Sequence, residues 1–89
     1  MRLVIQGRVQ GVSYRWWTVG EATKRGLNGW VRNRRYGNVE TLVSGPIAVV
    51  DDLIEACRQG PSAARVTDIE ISVEETTPAE SGFRQLPTA

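Results

Sequence analysis

Pro46, Val49, Val50, Leu53, Ile54 and Cys57 fall at i, i+3, i+4, i+7, i+8 and i+11. They form one apolar stripe along a helix, with Asp51, Asp52 and Glu55 left outside it. Ser44-Gly45-Pro46 opens this run, with Pro46 in the first turn, where a missing N–H costs nothing. Gly60-Pro61 closes it. On either side the period changes to two. Val39, Thr41 and Val43 alternate with Glu40 and Leu42 before the helix. Thr67, Ile69, Ile71 and Val73 alternate with Asp68, Glu70, Ser72 and Glu74 after it, within a strand expected from Ala64 to Glu74. A helix joining two strands of one sheet must cross over. Such crossovers are right-handed where the strands are parallel, so few topologies remain.

The first half of the chain repeats the order. Leu3-Val4-Ile5 opens a strand with Leu3, Ile5 and Val9 on one face and Val4, Gln6 and Arg8 on the other. Gly7 interrupts it, which predicts a bend or a close approach of another backbone. A helix follows from Tyr14 to Arg25, with Tyr14, Trp17, Thr18 and Ala22 inward and Gly26 as its stop. Trp16 and Trp17 are neighbours and cannot both face the core; Trp17 is assigned to it. Leu27 to Asn33 reads as a strand, and the turn Arg34 to Asn38 joins it to Val39–Val43 as a hairpin. Residues 75–81 are a polar loop containing Pro78, and Phe83 and Leu86 allow only a short last edge strand. Strand, helix, strand, strand, helix, strand is the pattern of an α+β, ferredoxin-like βαββαβ sandwich: an antiparallel sheet with two helices packed on one face. The expectation is a single domain over residues 1–89.

Composition narrows the chemistry. There is no histidine and one cysteine, Cys57. Zinc sites of the usual ligand sets and nucleophilic relays through histidine are therefore excluded, as is an internal disulfide. Cys57 lies on the apolar stripe and reads as an inert packed thiol. With 11 basic against 10 acidic residues the net charge is +1, unlike a general nucleic-acid binder. No apolar run approaches the ~20 residues that span a bilayer, and the N-terminus is too weakly apolar for a signal peptide. The expected location is the cytoplasm.

One loop has chemistry to offer. Gly7-Arg8-Val9-Gln10-Gly11-Val12-Ser13-Tyr14-Arg15 lies between a strand and the mouth of a helix. A turn of this kind points successive backbone N–H groups into one concavity at the positive end of the helix dipole. The amides of Gln10, Gly11, Val12, Ser13, Tyr14 and Arg15 can hold a phosphoryl group there, and the Arg15 guanidinium matches two of its oxygens. The loop is neither a Walker loop nor a dinucleotide fingerprint, so nucleotide binding is not expected. On its own, a glycine bend with a solvated arginine is the simpler explanation, because glycine turns are common. Asn33, at the end of its strand beside Arg32, Arg34 and Arg35, either begins the turn or holds a water, since its carboxamide both donates and accepts.

Together, the loop, then Gly26-Leu27-Asn28-Gly29-Trp30-Val31-Arg32-Asn33, and then Gly37-Asn38-Val39-Glu40 resemble the acylphosphatase family. That family carries a G-x-V-Q-G-V-x-[FY]-R loop and a G-x-V-x-N strand. Gly60-Pro61 and Ala64-Arg65-Val66 fit its second half, so the resemblance covers about residues 3–73. It implies the ferredoxin-like sandwich, catalytic roles for Arg15 and Asn33, and hydrolysis of the carboxyl–phosphate anhydride of acyl phosphates. It implies a small-molecule acyl phosphate as substrate and inorganic phosphate as product and competitor. It implies no metal and no organic cofactor; from charge and hydropathy no nucleic acid and no membrane are expected as partners, and the chain is expected to be a monomer. Ser13 stands where glycine is common in that family and Tyr14 where phenylalanine is common; a serine there adds a donor or caps the helix. Trp16 and Trp30 either pack or line the acyl side of the substrate. Two other readings share the fold: a single-stranded RNA platform using Arg8, Arg32, Arg34, Arg35 and exposed aromatics, and a carbamoyl-phosphate-binding domain of a larger enzyme.

Overall fold

β1 (Arg2–Arg8) lies inside the sheet with a strand on either side, and its Leu3, Val4 and Ile5 are all buried. In the computed structural model, which describes residues 1–74 and 81–89, β1 is followed by α1 (Tyr14–Lys24), β2 (Asn28–Asn33), β3 (Val39–Ser44), α2 (Ile47–Gln59), β4 (Arg65–Ser72) and β5 (Phe83–Gln85). The strand order is β4-β1-β3-β2-β5. β1 pairs antiparallel with both β3 and β4, and β2 pairs antiparallel with β3. The two helices rest on one face of this sheet, where Leu3, Ile5, Val31, Val39 and Val43 meet Tyr14, Ala22, Val50, Leu53, Ile54 and Cys57. Each fully buried aliphatic side chain there contributes roughly 1.5–3 kcal/mol.

Three expectations need correction. The sheet is mixed, not wholly antiparallel, because β5 pairs parallel with β2, Gly29 opposite Phe83 and Val31 opposite Gln85. β4 and β2 run in opposite directions. A chain leaving the end of β4 therefore reaches the far edge where β2 begins, and runs alongside it in the same sense. Second, α2 starts at Ile47, and Pro46 is its N-cap with φ −58° and ψ 137°. The Pro46 carbonyl accepts from the amides of Val49 and Val50. Third, the alternation in β4 buries Ile69 but leaves Ile71 45% and Val73 82% exposed. β4 is an edge strand, and Val73 lies beyond its end at Ser72. Of the expected polar loop at 75–81, residues 75–80, Pro78 included, lie outside the described residues.

Gly7 meets its expectation directly. Its φ is +121°, and a Cβ there would run into the backbone carbonyl of Arg65. The register with β4 slips at this point, Gln6 facing Asp68 and Gly7 facing Val66. The bulge turns the chain out of the sheet just before the loop.

Neither α1 nor α2 covers the sheet's other face. Val4, Leu42 and Glu40 are nonetheless buried there. Arg2 Nε donates to Glu40 Oε2 at 2.6 Å and Arg32 Nε to Glu40 Oε1 at 2.8 Å. The Arg32 guanidinium in turn lies 4.7 Å from the Trp30 ring centre. Arginine stems and an indole thus roof this face.

Candidate active site

The loop between β1 and α1 is held from two sides. Tyr14, the first residue of α1, is buried to 1% and donates its hydroxyl to the Cys57 carbonyl at 2.6 Å. This pins the start of one helix to the end of the other, and gives the tyrosine hydroxyl a use that phenylalanine lacks. Burial pushes that hydroxyl far above its ordinary pKa, with Cys57 adding to the rise, so it stays a donor. On the other side, Gln10 Nε2 donates to the carbonyls of Arg34 at 2.7 Å and Asn38 at 2.9 Å. Sequence reasoning used only the backbone of Gln10 and missed this strut. Nothing in the residue type signals it, because both acceptors are main-chain atoms 24 and 28 positions away.

The strut matters because β2 is not adjacent to β1; β3 lies between them. Asn33, at the end of β2, therefore lies two strands away from β1. The loop reaches across the end of β3 to the β2–β3 turn, and so comes to Asn33.

Ser13 adopts φ 62° and ψ 25°, and its side chain makes no cap hydrogen bond. Capping is therefore not its role. Its left-handed backbone, with Gly11 at φ +72° two residues before, sets the curl of the loop. No acidic residue occupies the first turn of α1. Among the described residues, no backbone N–H from Gln10 to Trp16 donates to a protein carbonyl. An unpaired row of amides at a helix N-terminus is an anion-binding geometry.

Gly11, Ser13, Tyr14, Arg15, Trp16 and Asn33 all line one cavity of about 390 Å³. Arg15 donates through one terminal nitrogen to the Leu86 carbonyl at 3.2 Å. No carboxylate among the described residues pairs with it. The remaining N–H groups of its fork are available to an anion. Asn33 is half-buried, and its backbone carbonyl accepts from Ala89 at 2.9 Å. Its carboxamide makes no hydrogen bond among the described residues.

Residues beyond β4 therefore touch both site residues. Leu86 N–H donates to Val31 at 2.8 Å, its carbonyl holds Arg15, and Gln85 lines the cavity. Side-chain pattern carries little sign of this, since the tail binds through its backbone. The two undecided tryptophans separate. Trp16 is 75% exposed at the cavity, whereas Trp30 lies on the opposite face of the sheet beneath Arg32. Trp17 is partly buried against the core, its ring 5.4 Å from that of Tyr14. Cys57 is buried, and burial pushes its thiol up to about 11, which fits an inert thiol.

A family model described as Acylphosphatase matches residues 1–85. An acylphosphatase of Azorhizobium caulinodans is 53% identical over 88 residues, covering 99% of this chain and 95% of the relative. The crystal structure of acylphosphatase from Bacillus subtilis aligns with a TM-score of 0.90 at 38% identity, over 96% of this chain and 94% of that one. An acylphosphatase structure from Coxiella burnetii aligns with a TM-score of 0.83 at 32% identity, over 96% and 88%.

Proposed function

This chain belongs to the acylphosphatase family, as its paired motifs implied, and we propose that it hydrolyses acyl phosphates with Arg15 and Asn33 as its catalytic residues. The observation that carries the reading is one cavity lined by both residues and by the loop whose amides lack partners among the described residues. In the proposed reaction the phosphoryl group docks on the amides of Gln10, Gly11, Val12, Ser13, Tyr14 and Arg15. The Arg15 fork spans two of its oxygens, and the Asn33 carboxamide orients a water in line with the bond to be broken. The water oxygen bonds to phosphorus as the bond from phosphorus to the carboxyl oxygen breaks. The electron pair leaves with the carboxylate, and the water's proton passes to solvent or to a phosphate oxygen.

Phosphoryl transfer asks mainly for placement and charge stabilisation. A carboxylate leaves without being protonated, so the site works without a general acid of histidine type. The reading extends to a single domain over residues 1–89 that acts as a monomer in the cytoplasm on freely diffusing acyl phosphates, without nucleic acid. In support, no helix among the described residues is long and apolar enough to cross a membrane. The test is phosphate release from benzoyl or acetyl phosphate with chelator present. Turnover inhibited competitively by inorganic phosphate supports the reading, and no release from either compound overturns it.

A further inference from the structure

Trp16 belongs to two cavities. It lines the one that holds Arg15 and Asn33, and it also lines a second, of about 530 Å³, along the outer side of α1 with Trp17, Val19 and Gly20. The second is mostly apolar, so the indole is a shared wall between a polar pocket and an apolar groove. Gly20 keeps the groove open. It lies one helical turn beyond Trp16, on the same face. Glycine is a poor helix former, yet the fold does not ask for one here. Gly20 is not among the residues of positive φ, and a Cβ there would meet nothing within 4 Å. What its missing side chain does is leave open space in the groove that it lines together with Trp16. At the groove's rim Lys24 is paired with Glu21 at 3.1 Å. That cation is satisfied, and the groove asks for an uncharged guest.

We infer that this groove receives the acyl group of the substrate, so that Trp16 selects acyl phosphates carrying an aryl or extended alkyl group over short ones. The inference rests on the phosphoryl group occupying the loop. A substrate anchored there projects its carboxyl and acyl portion away from the attacking water, and the groove is the apolar surface that continues from the cavity. An aromatic ring or several methylenes on the indole face then leave water. Each buried methylene raises kcat/KM by about threefold to fourfold.

The experiment measures kcat/KM for benzoyl and acetyl phosphate and reads their ratio. Wild type prefers benzoyl phosphate by at least about tenfold, and Trp16→Ala cuts that preference by about tenfold, chiefly through KM for the benzoyl compound. Trp16→Phe keeps most of the preference, and Gly20→Gln, which sets an amide in the notch, lowers it. Trp30→Ala, on the far face of the sheet, leaves the ratio alone. Equal effects of Trp16→Ala on both substrates, no effect, or an equal shift from Trp30→Ala would overturn the inference. Absence of turnover of either compound by wild type would instead overturn the loop reading beneath it.

Discussion

Ser13 holds a left-handed backbone that costs a side-chain-bearing residue about 1–2 kcal/mol. Glycine is free of that cost but loses roughly 0.5–1 kcal/mol more backbone entropy on folding. Ser13→Gly should therefore raise stability by a few tenths to about 1 kcal/mol, a rise of a few degrees in Tm. A thermal melt by circular dichroism checks it. For the two catalytic candidates the expected losses differ in kind. Arg15→Ala should cost at least about 10²–10³ in kcat/KM, as for the loss of a charge-stabilising donor, and should weaken inhibition by phosphate. Asn33→Ala should abolish turnover and leave phosphate inhibition nearly unchanged. Near-normal turnover of benzoyl phosphate by Asn33→Ala would rule out the water-orienting role. Arg15 and Asn33 could be singled out as candidates from their residue types and surrounding motifs, and the fold brings them to one cavity. The Gln10 strut and the Leu86 carbonyl were not, because each depends on which main-chain atom the fold brings near.

Among the elements, α2 could be read to within a residue, because its stripe repeats over three turns against charged neighbours. β4 was harder. Its alternation runs to Val73, but only Ile69 of that series is buried. Period two reports which residues share a face and is silent on how far the helix layer extends over it. β5 pairs over three residues, mostly through main-chain groups, so side-chain pattern has little to report there. Gly7 shows what a single position tells when the backbone itself is crowded. Any Cβ at this φ would enter the Arg65 carbonyl, so Gly7→Ala must part β1 from β4 or tilt the bulge. We expect a loss of at least about 2–3 kcal/mol, through strain at positive φ added to the clash. That corresponds to a fall in Tm upward of about 10 °C for a domain of this size. A melt of Gly7→Ala within a degree or two of wild type would show that the close approach is relaxed in solution.

At the scale of the whole molecule, the layering was legible and its second face was not. Glu40 shares with Leu42 the face of β3 turned away from the helices, yet it is only 5% exposed. Its cover comes from Arg2 on β1 and Arg32 on β2, two strands that flank β3 only after folding. Burial alone would raise the Glu40 pKa, but hydrogen bonds from Arg32 and Arg2 prevail and hold it below its ordinary value of 4.5. The sign of the linkage follows. The unfolded chain takes up the proton first as pH falls, so this contribution to stability is fully present above about pH 4.5 and is lost as pH drops through the lower folded value. Glu40→Gln should lower stability at pH 7 by about 1–3 kcal/mol, since it removes an acceptor shared by two charged donors. It should also flatten the loss of stability on acidification, measured by urea denaturation between pH 7 and 3. Some acid dependence should survive in the variant, because hydrogen bonds from Arg25 also hold Glu21 below its ordinary value. Hydrolysis of acyl phosphate should persist wherever the variant is folded, since Glu40 lies on the face of the sheet away from the helices and contributes nothing to the lining of the cavity. An unchanged acid profile in Glu40→Gln would mean that the two arginines find solvent as good a partner as the carboxylate.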